Sequence, residues 1–137
     1  MKTVKYVPKE ISQPFIDALS AKFSKLGPQT QKEIETQIKA GQMQLLVAHD
    51  GDQLKGGMVV QGKKTPQGPT AFIYGVFGSE IINKDYFPPL KNVLKIAGFD
   101  HIAGFSTESK FRLYKKTGVP LEITKTTPNG VFFGAKL

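Results

Sequence analysis

Residues 70–77 read TAFIYGVF, and residues 100–105 read DHIAGF. Both stretches are short and mostly apolar, which is typical of strands. The first carries no charge, so we predict a central strand that is buried on both faces. Between them, residues 87–97 carry apolar side chains at helical spacing and end at Gly98. A strand, a crossover helix and a second strand can form a parallel pair, and we expect one here.

The rest of the chain continues this alternation of strands and helices, without a linker or an internal repeat. We therefore predict one domain, residues 1–137, with an α/β (α+β) fold: a mixed, mostly antiparallel central sheet of about seven strands, flanked by four helices. The remaining predicted segments are strands at 3–7, 44–49, 54–61, 119–126 and 131–136, helices at 11–26, 28–40 and 107–117, and a loop at 63–69.

Composition narrows the classes of function. The chain has 137 residues, no cysteine and a formal net charge of +8. The absence of cysteine excludes disulfides, zinc–thiolate sites and cysteine nucleophiles. No apolar stretch approaches the length of a membrane span, and the first residues do not resemble a signal peptide. We therefore expect a cytoplasmic protein without a membrane partner, and the positive charge favours anionic partners.

A late segment of the chain carries a more specific signal. Residues 107–119 read TESKFRLYKKTGV. Together with the predicted order of elements, this segment resembles the GNAT superfamily of acyl-CoA-dependent N-acyltransferases, which has a helix motif at this point. Leu113, Tyr114 and Gly118 match that motif, and Thr107 occupies a position where asparagine is common.

The resemblance implies a GNAT-like acyltransferase that moves an acetyl group from acetyl-CoA to an unknown amine. It implies that the Tyr114 phenol protonates the departing CoA thiolate, since a thiol leaving group needs a nearby proton donor. It also implies that Glu80, just past the central strand, is a candidate general base. The residues that it implies for cofactor binding are Val76, Gly78, Lys84 and Thr107.

The loop between the central strand and the crossover helix departs from the family pattern. GNAT enzymes usually place spaced glycines there, whose N–H groups hold the CoA pyrophosphate. In this chain residues 78–89 contain one glycine, and Pro88 and Pro89 remove two N–H donors from the helix start. The alternative to an active enzyme is therefore a catalytically inactive GNAT-fold structural or interaction protein with a protein partner. Such proteins occur among tailed-phage gene products, including virion components.

Two further classes of site follow from the residues alone. Lys110, Arg112, Lys115 and Lys116 form a basic patch on the late predicted helix, which indicates either a solvated helix face or a surface that contacts nucleic acid through phosphates. A basic nucleic-acid-binding module is thus the third hypothesis. The only histidines, His49 and His101, lack the matching carboxylate spacing of a metal site, so we predict no metal.

Overall fold

The computed structural model describes residues 1–11, 13–15, 17, 28–77 and 81–137. Within these residues the chain forms seven strands and three helices of nine or more residues. The strands are β1 (Lys2–Val7), β2 (Gln44–Asp50), β3 (Gln53–Thr65), β4 (Gly68–Phe77), β5 (His101–Ser106), β6 (Glu122–Thr127) and β7 (Gly130–Lys136), and the helices are α1 (Pro28–Lys39), α2 (Phe87–Ile96) and α3 (Glu108–Lys116). A short 3-10 helix, Lys9–Ile11, follows β1, and residues 13–15 and 17 are helical.

All seven strands belong to one sheet, in the order β1-β2-β3-β4-β5-β7-β6. In the described part of the chain β4 and β5 are parallel, and every other neighbouring pair is antiparallel. As the sequence predicts, α2 carries the chain back between β4 and β5. Two-residue turns join β2 to β3, β3 to β4 and β6 to β7. In the chain α1 lies between β1 and β2, and α3 lies between β5 and β6. The predicted fold class and the predicted parallel pair are confirmed.

Helices pack on both faces of the sheet. On one face α1 covers the β1–β3 half, where Ile34 and Ile38 contact the strand residues Leu45, Val47 and Val59. On the other face α2 and α3 share the larger core, which contains Leu90, Leu94, Phe111, Tyr114, Phe133 and the inward side chains of β2 to β5. Among the described residues, no helix combines the length and the apolar character needed to cross a membrane.

Three predicted boundaries change in the structure. Residues 63–69 were expected to form a loop, but β3 continues to Thr65 and β4 begins at Gly68, with a two-residue turn between them. The Thr65 hydroxyl closes this turn by accepting from the Gln67 N–H at 3.2 Å. The strand predicted at 119–126 begins only at Glu122. Most of the helix predicted at 11–26 lies outside the described residues.

Candidate functional site

The sheet opens between its two parallel strands. Residues 70–72 of β4 pair with residues 101–103 of β5, and the pairing stops there. Farther along, β4 remains paired with β3 and β5 remains paired with β7. The facing edges of β4 and β5 therefore separate toward their carboxyl ends, with no strand between them in the described part of the chain. We call this gap the β4–β5 opening; in open α/β sheets ligands bind at such places.

A β-bulge lies on β4 within this opening. Residues 73 and 75 pair with consecutive residues of β3, so Tyr74 is an extra residue between them. A bulge interrupts the hydrogen-bond ladder and is frequent beside binding sites, where it redirects backbone groups and side chains. Sequence reasoning missed this feature, although Gly75, a glycine inside a strand, is the kind of residue that signals a bulge.

The bulged stretch of β4 is not buried on both faces, so that prediction is wrong. The Tyr74 side chain is 37% exposed, and its ring contacts Phe72 edge-on with centroids 5.2 Å apart. The Lys63 ammonium lies 4.7 Å from the Phe72 ring centroid and 5.2 Å from that of Tyr74. The physical reason is that the described part of α1 packs over β1–β3, so it does not cover this stretch of β4.

The start of α2 has its backbone donors already engaged. The N–H groups of Tyr86 and Phe87 both donate to the Asn83 carbonyl, at 3.1 and 2.9 Å, and the Leu90 N–H donates to the Tyr86 carbonyl at 3.0 Å. The two residues between Phe87 and Leu90 are prolines, which have no N–H. The free N–H groups that normally project from a helix N-terminus are thus either bonded or missing.

This arrangement decides how well the site fits the two ends of CoA. A helix N-terminus binds phosphate through free N–H groups, and the start of α2 offers none. The α2 end therefore does not fit a pyrophosphate. The β4–β5 opening does fit the pantetheine arm, because an extended chain with two amides can pair with an exposed strand edge. The predicted residues Gly78 and Glu80 lie outside the described residues.

Lys84 and the end of α3 are brought together. Gly118, which follows α3, has φ +84°, and a Cβ built on it would lie 3.1 Å from the Lys84 Cδ. Glycine is favoured here both by the left-handed backbone and by this close approach. The Thr117 hydroxyl lies 2.6 Å from the Tyr114 carbonyl and 3.4 Å from the Ile82 carbonyl, and donates to them. The stem of Lys84 therefore packs against the end of the helix that carries Tyr114.

Helix α3 begins with a side-chain cap. The Thr107 hydroxyl accepts a hydrogen bond from the Lys110 N–H at 3.2 Å, which satisfies one donor of the first turn. Thr107 is therefore the N-cap of α3. Because the hydroxyl of Thr107 already serves its own helix, its implied contact with acetyl-CoA stays a prediction. Val76 lies on β4 and packs, partly buried, against the larger core.

Tyr114 lies in an aromatic group over β5 and β7. Its ring meets the Phe133 ring edge-on at 6.1 Å, and Phe111 stacks on the same ring at 5.3 Å. Phe133 in turn covers Gly104, where an added Cβ would come within 2.7 Å of the ring. Gly104 is the first β5 residue past the paired segment. Tyr114 is thus one ring removed from the wall of the β4–β5 opening.

Burial controls the chemistry of Tyr114. The side chain is only 7% exposed, and desolvation raises the pKa of its phenol to about 12. Tyr114 keeps its proton at neutral pH and can donate a hydrogen bond, whereas the raised pKa makes the phenol a weaker acid than an ordinary tyrosine. A departing thiolate with a pKa of about 8.5 is less basic than this phenolate, so Tyr114 would stabilise it mainly as a hydrogen-bond donor.

The predicted basic patch on α3 is partly neutralised. Arg112 donates to the Glu108 carboxylate at 2.9 Å, and Lys115 lies 3.4 Å from a Glu122 carboxylate oxygen. Lys110 and Lys116 complete the patch, and the exposed side chain of Ile123 borders it. Exposed ion pairs of this kind reduce the net charge presented to a phosphate backbone.

The two histidines are placed apart from this region. The Nδ1 atoms of His49 and His101 are buried and accept no hydrogen bond from the described residues. His101 begins β5, opposite Thr70 on one side and Lys136 on the other. No group of three metal-binding side chains comes together among the described residues.

Comparisons with known proteins give the fold a name. No family model and no curated protein sequence matches the chain. Solved structures do match. The PaiA N-acetyltransferase of Thermoplasma acidophilum, in complex with coenzyme A, has 13% identity and a TM-score of 0.63, over 100% of this chain and 99% of that one.

Two other solved structures agree with it. The Bacillus subtilis acetyltransferase in complex with CoA has 16% identity and a TM-score of 0.61 over 100% and 99% of the two chains. The Campylobacter jejuni N-acetyltransferase PseH has 10% identity and a TM-score of 0.64 over 98% and 97%. At such identities the likeness concerns architecture alone. The chain has the fold of the GNAT N-acetyltransferases.

Proposed function

We propose that this chain binds the pantetheine arm of an acyl thioester, of which acetyl-CoA is the simplest, in the β4–β5 opening and transfers the acyl group to an amine. The observation that carries the proposal is the opening itself, where pairing ends after residues 72 and 103 while both strands continue. Two solved structures of the same fold are complexes with coenzyme A, which supports this choice of ligand.

The proposal gives distinct roles to the edge of β4 and to three side chains. The unpaired edge of β4, interrupted by the bulge at Tyr74, holds the amides of the arm by backbone hydrogen bonds. Tyr114 supplies a hydrogen bond to sulfur as the thioester bond breaks, because its phenol remains protonated. Lys84 is the candidate for contact with a phosphate, and Glu80 is the candidate base that accepts the proton of the amine.

Calorimetry with acetyl-CoA at low salt is the first test. We expect micromolar to submillimolar binding by the full chain. Absence of heat at millimolar acetyl-CoA would overturn the proposal. With a bound donor, thiol release in the presence of primary amines of several classes measures turnover. Tyr114→Phe should then lower the rate about 100-fold or more, the usual contribution of one hydrogen-bond donor to a developing negative charge.

A matched variant separates chemistry from packing. Tyr86 is a second buried tyrosine on the same face of the sheet, at the cap of α2. Tyr86→Phe should leave turnover within a factor of two or so, whereas Tyr114→Phe should not. Equal rates for both variants would remove Tyr114 from the mechanism. Circular dichroism and thermal unfolding establish that both variants are folded.

The start of α2 favours a second candidate. Because its N–H groups are bonded or missing, the fold can also serve as a non-catalytic structural or interaction protein that has lost the nucleotide end of the cofactor site. The same calorimetry distinguishes the two, since this candidate expects no binding of acetyl-CoA. Phage or virion origin stays a prediction.

A further inference from the structure

The face of the sheet on the α1 side carries a group of aromatic side chains. Phe72 pairs with Ala103 across β4 and β5, Phe105 lies two residues farther along β5, and Phe105 pairs with Phe132 across β5 and β7. Paired residues, and residues two apart on a strand, share a face. The contact of Tyr74 with Phe72 places it there as well. We call Phe72, Tyr74, Phe105 and Phe132 the aromatic face.

The rings form two pairs on either side of the β4–β5 opening. Phe72 and Tyr74 meet edge-on at 5.2 Å, and Phe105 and Phe132 lie tilted at 4.8 Å. Tyr74 is 37% exposed and Phe105 is 43% exposed, although large aromatic side chains are usually mostly buried. Adjacent exposed aromatic rings on a sheet are typical of binding surfaces, because leaving them in water has a free-energy cost that a ligand can relieve.

The charge around these rings is positive. The strands β3, β4, β5 and β7 contain no aspartate or glutamate, whereas they contain four lysines. Lys63 lies over the Phe72 and Tyr74 rings, and Lys125 of β6 is opposite Phe132 in register. The one carboxylate on β6, Glu122, is within 3.4 Å of the Lys115 ammonium on α3. An anionic ligand would meet no unpaired carboxylate on these strands.

A single-stranded nucleic acid combines several flat rings with a negative charge on every nucleotide. Exposed bases stack on aromatic side chains irrespective of sequence, and phosphates are drawn to lysines. A duplex keeps its bases stacked inside, and an acidic protein segment supplies the charge without the planar faces. We propose that the aromatic face binds single-stranded nucleic acid, with bases on Tyr74 and Phe105 and phosphates near Lys63 and Lys125.

The test is fluorescence anisotropy of labelled oligo(dT) and oligo(rU), each about 20 nucleotides long, with the full chain at low and at moderate salt. We expect binding that weakens steeply as salt rises. Tyr74→Leu and Phe105→Leu, which remove a ring and keep an apolar side chain, should each weaken binding at least about fivefold. Phe105→Tyr should keep the affinity, because the ring remains. Binding of either polymer supports the proposal, and a preference between them reflects the sugar and the C5-methyl group of thymine together.

The control variant is Lys110→Gln with Lys116→Gln on α3, which removes two charges from the opposite face of the sheet. This variant should change the affinity less than either leucine variant. The proposal is overturned if no binding is detected at low salt, if duplex DNA competes as well as a single strand, or if only the α3 variant weakens binding. Thermal unfolding checks that each variant is folded. If Tyr74→Leu is unfolded, the comparison of Phe105→Leu with Phe105→Tyr still tests the proposal.

Discussion

The two helices that follow the parallel strands begin in opposite ways. The cap residue of α2 is Tyr86, which makes no capping hydrogen bond through its side chain, and two prolines occupy its first turn. The cap residue of α3 is Thr107, which accepts from the Lys110 N–H, and Glu108 stands in the first turn. One helix therefore starts without a side-chain cap, and the other starts with the residues that favour a helix start.

Burial explains why the poorly capped helix is nevertheless well placed. Phe87, Leu90 and Leu94 of α2 are buried, so packing against the sheet fixes that helix. Helix α3 buries Phe111 and Tyr114 but leaves Leu113 60% exposed. A helix start can thus be held by packing in the core or by its side-chain cap. The first solution removes the donors that an anion would need, whereas the second keeps a local polar start.

The largest effect that follows from this comparison is on stability. Leu90→Ala should lower the free energy of unfolding by about 2–5 kcal/mol, because it leaves a cavity at a position that is 2% exposed. Leu113→Ala, the same substitution on α3, should cost less than about 0.5 kcal/mol, because that side chain remains largely in water. Urea unfolding measures both. Comparable losses for the two variants would contradict the view that α2 depends on packing more than α3 does.

The second effect concerns the donors missing from α2. Pro88→Ala with Pro89→Ala returns two N–H groups to the helix start. If the acyl donor occupies the β4–β5 opening, the affinity for CoA relative to pantetheine should rise about tenfold, since a hydrogen bond to a charged group contributes about 1.5 kcal/mol or more. Calorimetry with the two ligands gives this ratio.

A proline outside the site provides the control for this ratio. Pro128 lies in the turn between β6 and β7, and Pro128→Ala should leave the ratio of CoA to pantetheine affinity unchanged. An unchanged ratio in the double variant of α2 would mean that the nucleotide end of CoA does not approach this helix. A rise in both variants would point to a general effect of proline replacement on the fold.

The sequence is a good guide to the sheet because its signals there are local. The apolar runs at 70–77 and 100–105, with a helical period between them, predict the parallel pair that the structure contains. The exposure of Tyr74 could not be predicted in the same way. Which helix covers which half of a sheet depends on contacts between segments far apart in the chain, and α1 covers only the β1–β3 half.

The features of the candidate site also divide into those that follow from the sequence and those that depend on contacts between distant segments. That Pro88 and Pro89 lack N–H groups follows from the sequence alone. That Asn83 supplies a carbonyl to the neighbouring donors does not, because it depends on the turn that precedes α2. Likewise, the motif around Tyr114 was visible in the sequence, whereas the packing of Lys84 against Gly118 arises only when two distant loops meet.

The third effect is on the cap of α3. Thr107→Ala removes the hydroxyl that accepts from the Lys110 N–H, and should cost about 1 kcal/mol of unfolding free energy. Ser109→Ala changes a neighbouring hydroxyl that lies 3.4 Å from Thr107 but caps no N–H, and should be nearly neutral. Urea unfolding of the two variants, run together, tests whether the cap matters. An equal cost for both would show that α3, like α2, depends on its packing.

The smallest effect concerns charge at the start of α3. Glu108→Gln removes a first-turn carboxylate that interacts favourably with the helix dipole and pairs with Arg112 at 2.9 Å. We expect the free energy of unfolding to fall by about 0.3–0.5 kcal/mol. Both side chains are more than half exposed, so the loss should shrink as salt rises. Glu122→Gln, which breaks the exposed pair with Lys115 away from any helix start, should cost less. If the two variants respond alike at low salt, the dipole contributes nothing beyond the ion pair, and the advantage of α3 over α2 rests on the Thr107 hydroxyl alone.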